Sequence, residues 1–462
     1  MSKQYYFLSG IGGSGMLPLA LILKNMGYRV SGSDRAYDQG MFAEKFTYLK
    51  NQGIELCPQD GRGLTPEIDK LVISAAVESD TPDVLAAKSH NIPIEKRADV
   101  LAGLFNGFKH RIAIGGTSGK TTVTGMIGFI LEQAGKDPIM MNGGNLVNYY
   151  TPDTPYPSVL LGQSDVFITE ADESDGTIAL YDPSIAVLNN LALDHKKPEE
   201  TAVLFKDFIA KARHAVINAD AFSAEWLDGD NVISYGIKTK AQIQAELFEN
   251  GSVVVKDRKS NEEAVLNLSI PGEHNISNAL AAIASVSALG ISISESCLIL
   301  SHFKGIKRRL EIIGIQNDIM MIDDFAHNPD KISASMKTLK SMGRRLIVVF
   351  QPHGFGPLKL MGREIAEAFA QHMDEYDILC VPDVIYWGGT VNREVTSKDL
   401  VAWVKDLDRQ AFWFEDRETM KAEILNVVKP NDVIVIMGAR DDSLTTYAHD
   451  ILKSLKDKVD RV

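Results

Sequence analysis

The stretch AIGGTSGKTTVTG, Ala113 to Gly125, decides how the chain is read. It continues the apolar run RIAIGG and leads into TTVTGMIGFILEQAG, whose apolar residues recur at helical spacing up to a glycine stop. Strand, glycine-rich turn with Gly119-Lys120-Thr121, and helix, in that order, predict a phosphate-binding loop. Glycines let backbone N–H groups turn toward a phosphate unobstructed, and the helix amino end adds its positive pole. Gly116, Thr117, Ser118, Gly119, Thr121 and Thr122 are the predicted cradle, with Lys120 reaching the outer phosphates and the Thr121 hydroxyl on Mg2+. The common form of such loops has a glycine five residues before the Gly119-Lys120 pair, where this chain has Ile114. The plainer alternative is a glycine turn before a helix, with Lys120 solvated.

Around this loop, strands and helices alternate. Upstream, YYFLSGIGGSGM, LPLALILKNMGYRV and SGSD read as strand, helix, strand, followed by DKLVISAAV and IPIEKRADVLAGLF. After the loop come strands at DVFIT, SIAVLN, SVVVKD and AVLNLSI, then a polar turn into the Ala-rich helix of PGEHNISNALAAIASVSALG. A third segment holds IMMIDDFAHNP, RRLIVVFQPH, DILCVPD and DVIVIMGARDD, each an apolar strand with a polar tail. The pattern predicts an α/β protein with mostly parallel sheets in three domains, 1–107, 108–312 and 313–462. In such sheets ligand sites gather at the carboxyl ends of the strands.

A chain of 462 residues, 45% hydrophobic and 24% charged, carries enough apolar material for several cores. Its formal charge of -13 disfavours a nucleic-acid backbone as partner. The apolar runs fall short of the roughly 20 residues that cross a bilayer. No secretory leader is recognisable, so no membrane is expected as partner and the cytoplasm is the expected compartment. Cys57, Cys297 and Cys380 lack any paired spacing, so neither a disulfide framework nor a zinc site is predicted. No signal for an oligomeric state is present.

Three further clusters carry chemistry. DVFITEADESD delivers Glu170, Asp172, Glu173 and Asp175 from a strand end, a crowd of hard oxygens suited to Mg2+ or, more plainly, an acidic solvated loop. SIAVLNNLALDHKK ends in Asp194-His195. Near the start, Gly10, Gly12 and Gly15 satisfy a dinucleotide fingerprint after a strand, with Asp34 ending the next strand where a ribose-binding acid belongs. That fingerprint raises an NAD-dependent oxidoreductase, which leaves GTSGKTT, EADESD and RRLE unexplained.

GTSGKTT at 116–122 resembles the shortened GTxGKT loop of the Mur ligase superfamily, in which Ile114 falls as the last strand residue. The resemblance runs through all three segments and points to members acting on the lactyl carboxylate of UDP-N-acetylmuramate. These add L-alanine in peptidoglycan biosynthesis or an L-alanine-headed tripeptide in cell-wall recycling. It implies Rossmann-like first and last domains around a central P-loop ATPase-type domain, and an ATP- and Mg2+-dependent ligase working through an acyl phosphate. Closure of the third domain onto the second is then expected to gate turnover.

Carried over residue by residue, the resemblance makes Glu170 a metal ligand beside Thr121 and His195 a ligand of a second metal. Lys197 stands where relatives carry an Asp. PGEHNISNA resembles the turn whose Asn residues contact adenine, here Asn275 and Asn278; helix capping is the plainer reading. In KGIKRRLEIIG the second arginine, Arg309, is implied at the γ-phosphate. In DDFAHNP, Asp324 is implied at the ribose and His327 at the phosphates. GIGGSGM, comprising Gly10, Gly12, Gly13, Ser14, Gly15 and Met16, is implied to hold the UDP pyrophosphate, with Asp34, Ser74 and Arg97 close by. For the amine donor the resemblance points to His353 in FQPHG, although Gly354 and Pro357 replace the arginines of the L-alanine pattern. Arg440 in MGARDDS, at another strand end, is a candidate partner for an amino-acid carboxylate, with a solvated surface arginine as the plainer alternative. A non-catalytic sensor of UDP-sugar or ATP is the reading of another class.

Overall fold

The computed structural model describes the chain except residues 1–3, 75–76, 174, 192–197, 250, 386–392, 440, 442 and 460–462, and except the side chains of 198, 199 and 457–459. It divides into two compact units, residues 1–269 with 274–304, and residues 270–273 with 305–462.

The first unit contains two sheets. β1 (Tyr5–Ser9), β2 (Arg29–Ser33), β3 (Glu55–Cys57), β4 (Lys70–Ile73) and β5 (Ile94–Lys96) form a parallel sheet in the order β3-β2-β1-β4-β5. Every residue of β1 is buried, as a central parallel strand covered on both faces requires. The strand order reverses between β1 and β4, so the glycine loop after β1 opens at the crevice where such sheets take ligands.

The second sheet comprises β6 (His110–Gly115), β7 (Ile139–Met141), β8 (Val159–Leu161), β9 (Val166–Glu170), β10 (Ile185–Leu188), β11 (His214–Asn218), β12 (Val232–Gly236), β13 (Ile243–Leu247), β14 (Val253–Asp257) and β15 (Glu262–Val265). Their order is β15-β14-β13-β12-β11-β10-β6-β9-β7-β8, parallel from β7 to β13 and antiparallel only toward the two edges. β6 lies between β9 and β10 with Ile114 opposite Glu170 and Gly115 opposite Leu188. The carboxyl ends of three neighbouring strands therefore meet at the loop after β6. The first sheet's helices Met16–Asn25 and Arg97–Asn106 share a core with this sheet: Phe105 meets Phe167 edge-on at 5.7 Å and Tyr181 at 5.2 Å. The strand expected at AVLNLSI begins earlier and stops at Val265, where its antiparallel pairing with Val254 of β14 ends.

The other unit holds β16 (Glu311–Gln316), β17 (Ile319–Asp324), β18 (Leu346–Gln351), β19 (Ile378–Pro382), β20 (Gln410–Phe414) and β21 (Val433–Gly438), in the order β16-β17-β21-β18-β19-β20. Only β16 is antiparallel. Leu346, Val348 and Phe350 enter one apolar cluster and Ile347 and Val349 another, the period-two alternation of a strand covered on both faces. β16 is absent from the sequence reading. It is half of a hairpin whose turn, Asn317-Asp318, has φ of 55° and 59°, the left-handed pair of a tight two-residue hairpin. Arg308 and Arg309 belong to this unit, whose longer segment begins at Gly305.

Candidate functional site

The loop after β6 is held in place before any ligand chemistry is considered. Gly119, at φ 82°, caps the helix Lys120–Gln133. A Cβ there would lie 2.6 Å from Asn278 Oδ1 and 2.9 Å from Asn189 Nδ2, so only glycine fits. Two asparagines at the end of β10 clasp the loop. Asn190 Oδ1 accepts from the Thr117 hydroxyl at 2.8 Å and from Ser118 N–H at 2.9 Å, while Asn189 Nδ2 donates to Ser118 O at 3.2 Å. Behind them, the buried Tyr235 hydroxyl donates to Asn189 Oδ1 at 3.2 Å and Asn218 Nδ2 to Asn189 O at 2.9 Å. Sequence reasoning did not assign this clasp; the signal was the doubled asparagine directly after an apolar strand.

Lys120 Nζ donates to Gly116 O at 2.7 Å and to both oxygens of Glu173 at 3.1 and 2.9 Å. With side-chain exposures of 17% and 7%, this ion pair is largely withdrawn from water. Of the four carboxylates grouped in the sequence, Glu173 is thus the lysine's partner and Glu170 takes a different place. Glu170 Oε2 accepts from the Thr121 hydroxyl at 3.2 Å, and Oε1 from Gly143 N–H at 2.6 Å. Thr121 and Glu170, both expected to hold metal, are therefore adjacent. His195, the third expected ligand, lies outside the described residues. Among the described residues no three His, Cys, Asp or Glu side chains converge as a metal-binding group. Thr122 follows within the first helical turn, half-buried.

Asn275 and Asn278 lie on the first turns of the helix Glu273–Ser287, joined by a 3.3 Å bond from Asn278 Nδ2 to Asn275 Oδ1. The approach of Asn278 to Gly119 brings this pair to the phosphate loop.

In the second unit, the two adjacent arginines separate in role. Arg308 is buried: its guanidinium donates to Asp323 at 3.3 Å, to Asp441 O at 3.1 Å and to Gly438 O at 2.6 Å. Arg309 has its guanidinium carbon 5.3 Å from the centre of the Phe325 ring. Asp324 is almost wholly buried and its oxygens accept from Ser335 Oγ at 2.5 Å and Leu310 N–H at 3.2 Å. Burial pushes the Asp324 carboxyl above its ordinary range, against the pull of the Ser335 hydroxyl. His327 Nδ1 meets Phe325 O at 2.7 Å, and its ring stands edge-on to Phe325 and to His353, each at 5.3 Å. Burial lowers its pKa to about 4. Phe325 thus joins Arg309 to His327, whose ring in turn meets His353, at the carboxyl ends of β17 and β18, whereas Arg440 lies outside the described residues.

At the amino-terminal glycines, Gly12 N–H donates to Asp34 Oδ2 at 2.8 Å, and Asp34 Oδ1 caps the short helix after β2 through Ala36 N–H at 2.9 Å. Gly10 and Ile11 N–H both donate to Ser33 O, at 2.8 and 3.0 Å. Gly13 and Ser14 are exposed at the loop's outer turn, and Met16 starts the helix with its side chain buried. Arg97 lies against Gly15, where a Cβ would come within 3.1 Å of its Nε. Ser74 follows β4, on the other side of the switch point. The sequence-derived residues of this unit therefore gather at two strand-end loops, one per sheet.

Three family models match the chain in succession: the Mur ligase family catalytic domain over residues 5–109, the Mur ligase middle domain over 114–286, and the Mur ligase glutamate ligase domain over 308–440. The chain is 34% identical over 450 residues to a UDP-N-acetylmuramate--L-alanine ligase of Geotalea uraniireducens, covering 93% of this chain and 94% of that protein. It is 33% identical over 470 residues to the enzyme of that name from a Sulfurihydrogenibium species, covering 99% and 98%. Among solved structures it is similar to a UDP-N-acetylmuramate-alanine ligase of Thermotoga maritima, at 25% identity and a TM-score of 0.77, covering 98% and 99%. It is also similar to a murein peptide ligase of Psychrobacter arcticus, at 26% identity and a TM-score of 0.68, again covering 98% and 99%.

Proposed function

Because the chain belongs to the Mur ligase family, we propose that it is an ATP-dependent ligase joining the lactyl carboxylate of UDP-N-acetylmuramate to the amine of L-alanine, with release of ADP and phosphate. The observation that carries this reading is the loop after β6, where Lys120, Thr121 and Glu170 converge at adjoining strand ends. Similarity to L-alanine ligases over almost the whole chain favours the free amino acid over the tripeptide. The product is a cell-wall precursor made in the cytoplasm, and among the described residues no helix is long and apolar enough to cross a membrane. The proposed division is a UDP-sugar domain at 1–107, an ATP-binding domain at 108–312 and a carboxyl-terminal domain at 313–462.

A carboxylate does not accept an amine in neutral water, because oxide would have to leave. In the proposed course it attacks the γ-phosphorus of ATP, ADP leaves, and the acyl phosphate then takes the neutral amine and expels phosphate. No side-chain nucleophile is required. The chain's contribution is alignment and neutralisation of charge. The backbone N–H groups of 116–122 cradle the phosphates, Lys120 Nζ exchanges Glu173 for a phosphate oxygen, and the Arg309 guanidinium neutralises the transferred group. Thr121 Oγ1 and Glu170 Oε2, 3.2 Å apart, are hard oxygens of the kind Mg2+ takes, and His195 completes the proposed ligands. Mg2+, when bound there, supplies positive charge to the phosphates. Asn275 and Asn278 are proposed at the adenine, Asp324 and His327 at ribose and phosphate, the glycines 10–15 with Asp34, Ser74 and Arg97 at the UDP-sugar, and His353 and Arg440 at the amine donor.

ADP release with UDP-N-acetylmuramate and a panel of L-alanine, L-serine, glycine and L-Ala-γ-D-Glu-meso-diaminopimelate tests this. L-Alanine should be turned over fastest. Preference for the tripeptide moves the enzyme to recycling. No release with any amine favours a sensor, and hydride transfer to NAD an oxidoreductase.

A further inference from the structure

Beneath the amino-terminal glycine loop lies a buried carboxylate that none of the proposed roles uses. Asp83, on the first turn of the helix Pro82–Ser89, has no exposed surface, and among the described residues no lysine or arginine pairs with it. Its Oδ2 accepts from the Ser9 hydroxyl at 2.8 Å and also from the Ser33 hydroxyl, and its Oδ1 accepts from Gly61 N–H at 3.2 Å. Both serines are fully buried.

The positions of those donors give the carboxylate its meaning. Ser9 and Ser33 are the last residues of β1 and β2 and stand opposite each other in the parallel register. The next residues are Gly10, which opens the glycine loop, and Asp34, which receives Gly12 N–H. The Ser33 carbonyl itself receives Gly10 and Ile11 N–H. One carboxylate thus ties together the two strand ends from which the loop hangs. Three donors converging on one group call for an acceptor with no proton to place, which a carboxylate is and an amide is not. Burying an unpaired charge is costly, so an apolar residue would serve packing better. Charge-assisted hydrogen bonds and the helix amino end recover part of that cost.

We propose that Asp83 is a positioning residue for the UDP-sugar site, fixing the Ser9 and Ser33 strand ends so that the backbone N–H groups of residues 10–15 are set for a diphosphate. This rests on the reading that the glycine loop takes the UDP moiety.

The test compares Asp83→Asn, the triple variant Ser9→Ala/Ser33→Ala/Asp83→Asn, and Gly15→Leu in the full-length enzyme. Asp83→Asn keeps the shape but sets an NH2 against hydroxyl donors. It should raise KM for UDP-N-acetylmuramate about tenfold or more, with KM for ATP within about twofold. Hydrogen exchange should quicken in peptides covering 9–16 and 33–36 and stay unchanged at 113–125. Removing both hydroxyls in the Asp83→Asn background should restore part of the affinity, which general destabilisation does not predict. The inference is overturned if Gly15→Leu raises KM for the UDP-sugar while Asp83→Asn does not, or if Asp83→Asn raises both KM values alike. If Gly15→Leu leaves that KM unchanged, the assignment of the loop itself fails.

Discussion

Replacing Gly119 by alanine isolates the geometry of the phosphate loop. The residue sits at φ 82°, where a Cβ costs about 1–2 kcal/mol. The methyl would also press on Asn278 Oδ1 at 2.6 Å and Asn189 Nδ2 at 2.9 Å. Both amides are buried and engaged, Asn278 with Asn275 and Asn189 with Ser118 O, so displacing them costs about 1 kcal/mol per bond. The sum, about 3 kcal/mol, falls on the conformation that receives phosphates and corresponds to about a 100-fold rise in KM for ATP. Gly135→Ala, beyond the other end of the same helix, is the control. Its φ is 70°, yet a Cβ there meets nothing within 4 Å, so it should lower Tm by a few degrees and leave KM unchanged. Steady-state ADP release and thermal melting of both variants decide the matter. If Gly119→Ala and Gly135→Ala lose equal stability and neither changes KM for ATP, the contacts drawn for Gly119 are wrong.

Arg308→Ala should lower Tm strongly, because it takes the guanidinium away from the buried Asp323 carboxylate and from the Gly438 and Asp441 carbonyls, whereas Arg309→Ala should leave Tm near that of the parent and depress kcat; melting and turnover of the pair check the split. Glu173→Gln removes the anion that holds Lys120 Nζ at 2.9 Å and should change kcat and KM for ATP but not KM for UDP-N-acetylmuramate, as initial rates with each substrate varied will show. His327, with its pKa lowered from 6.5 to about 4 by burial, binds fewer protons folded than unfolded, so its contribution is complete above pH 6.5 and lost as pH falls toward 4. Melting temperatures across that window should fall more steeply for the parent than for His327→Gln, and equal slopes would contradict the assignment.

The central loop was legible because three independent signals agree locally: an apolar strand, a Gly-Lys-Thr turn and a helical repeat ending in glycine. Glu170 was one of four carboxylates grouped after an apolar strand, and the resemblance alone singled it out; its place beside Thr121 follows from that strand adjoining β6. The Asn189-Asn190 clasp and the Lys120–Glu173 pair were not, since both depend on which strands neighbour β6, and strand order is a long-range property. Arg308 and Arg309 look alike in the sequence; only burial against Asp323 and Gly438 separates them. The hairpin strand β16 escaped because Gly314 interrupts its apolar run and its turn is a plain Asn-Asp. Asp83 carries no signal in the sequence pattern, and its burial follows from how β1, β2 and the turn at Gly61 close over it.

Activation of the lactyl carboxylate by phosphoryl transfer from ATP at the loop 116–122 is the step on which the proposed function depends. UDP-N-acetylmuramate labelled with 18O in that carboxylate, incubated with ATP, Mg2+ and L-alanine, tests it most directly by mass spectrometry of the released phosphate. One labelled oxygen should pass to phosphate for each amide formed. Phosphate free of label while the amide forms, with the expelled oxygen found in the nucleotide or in water, would contradict that course.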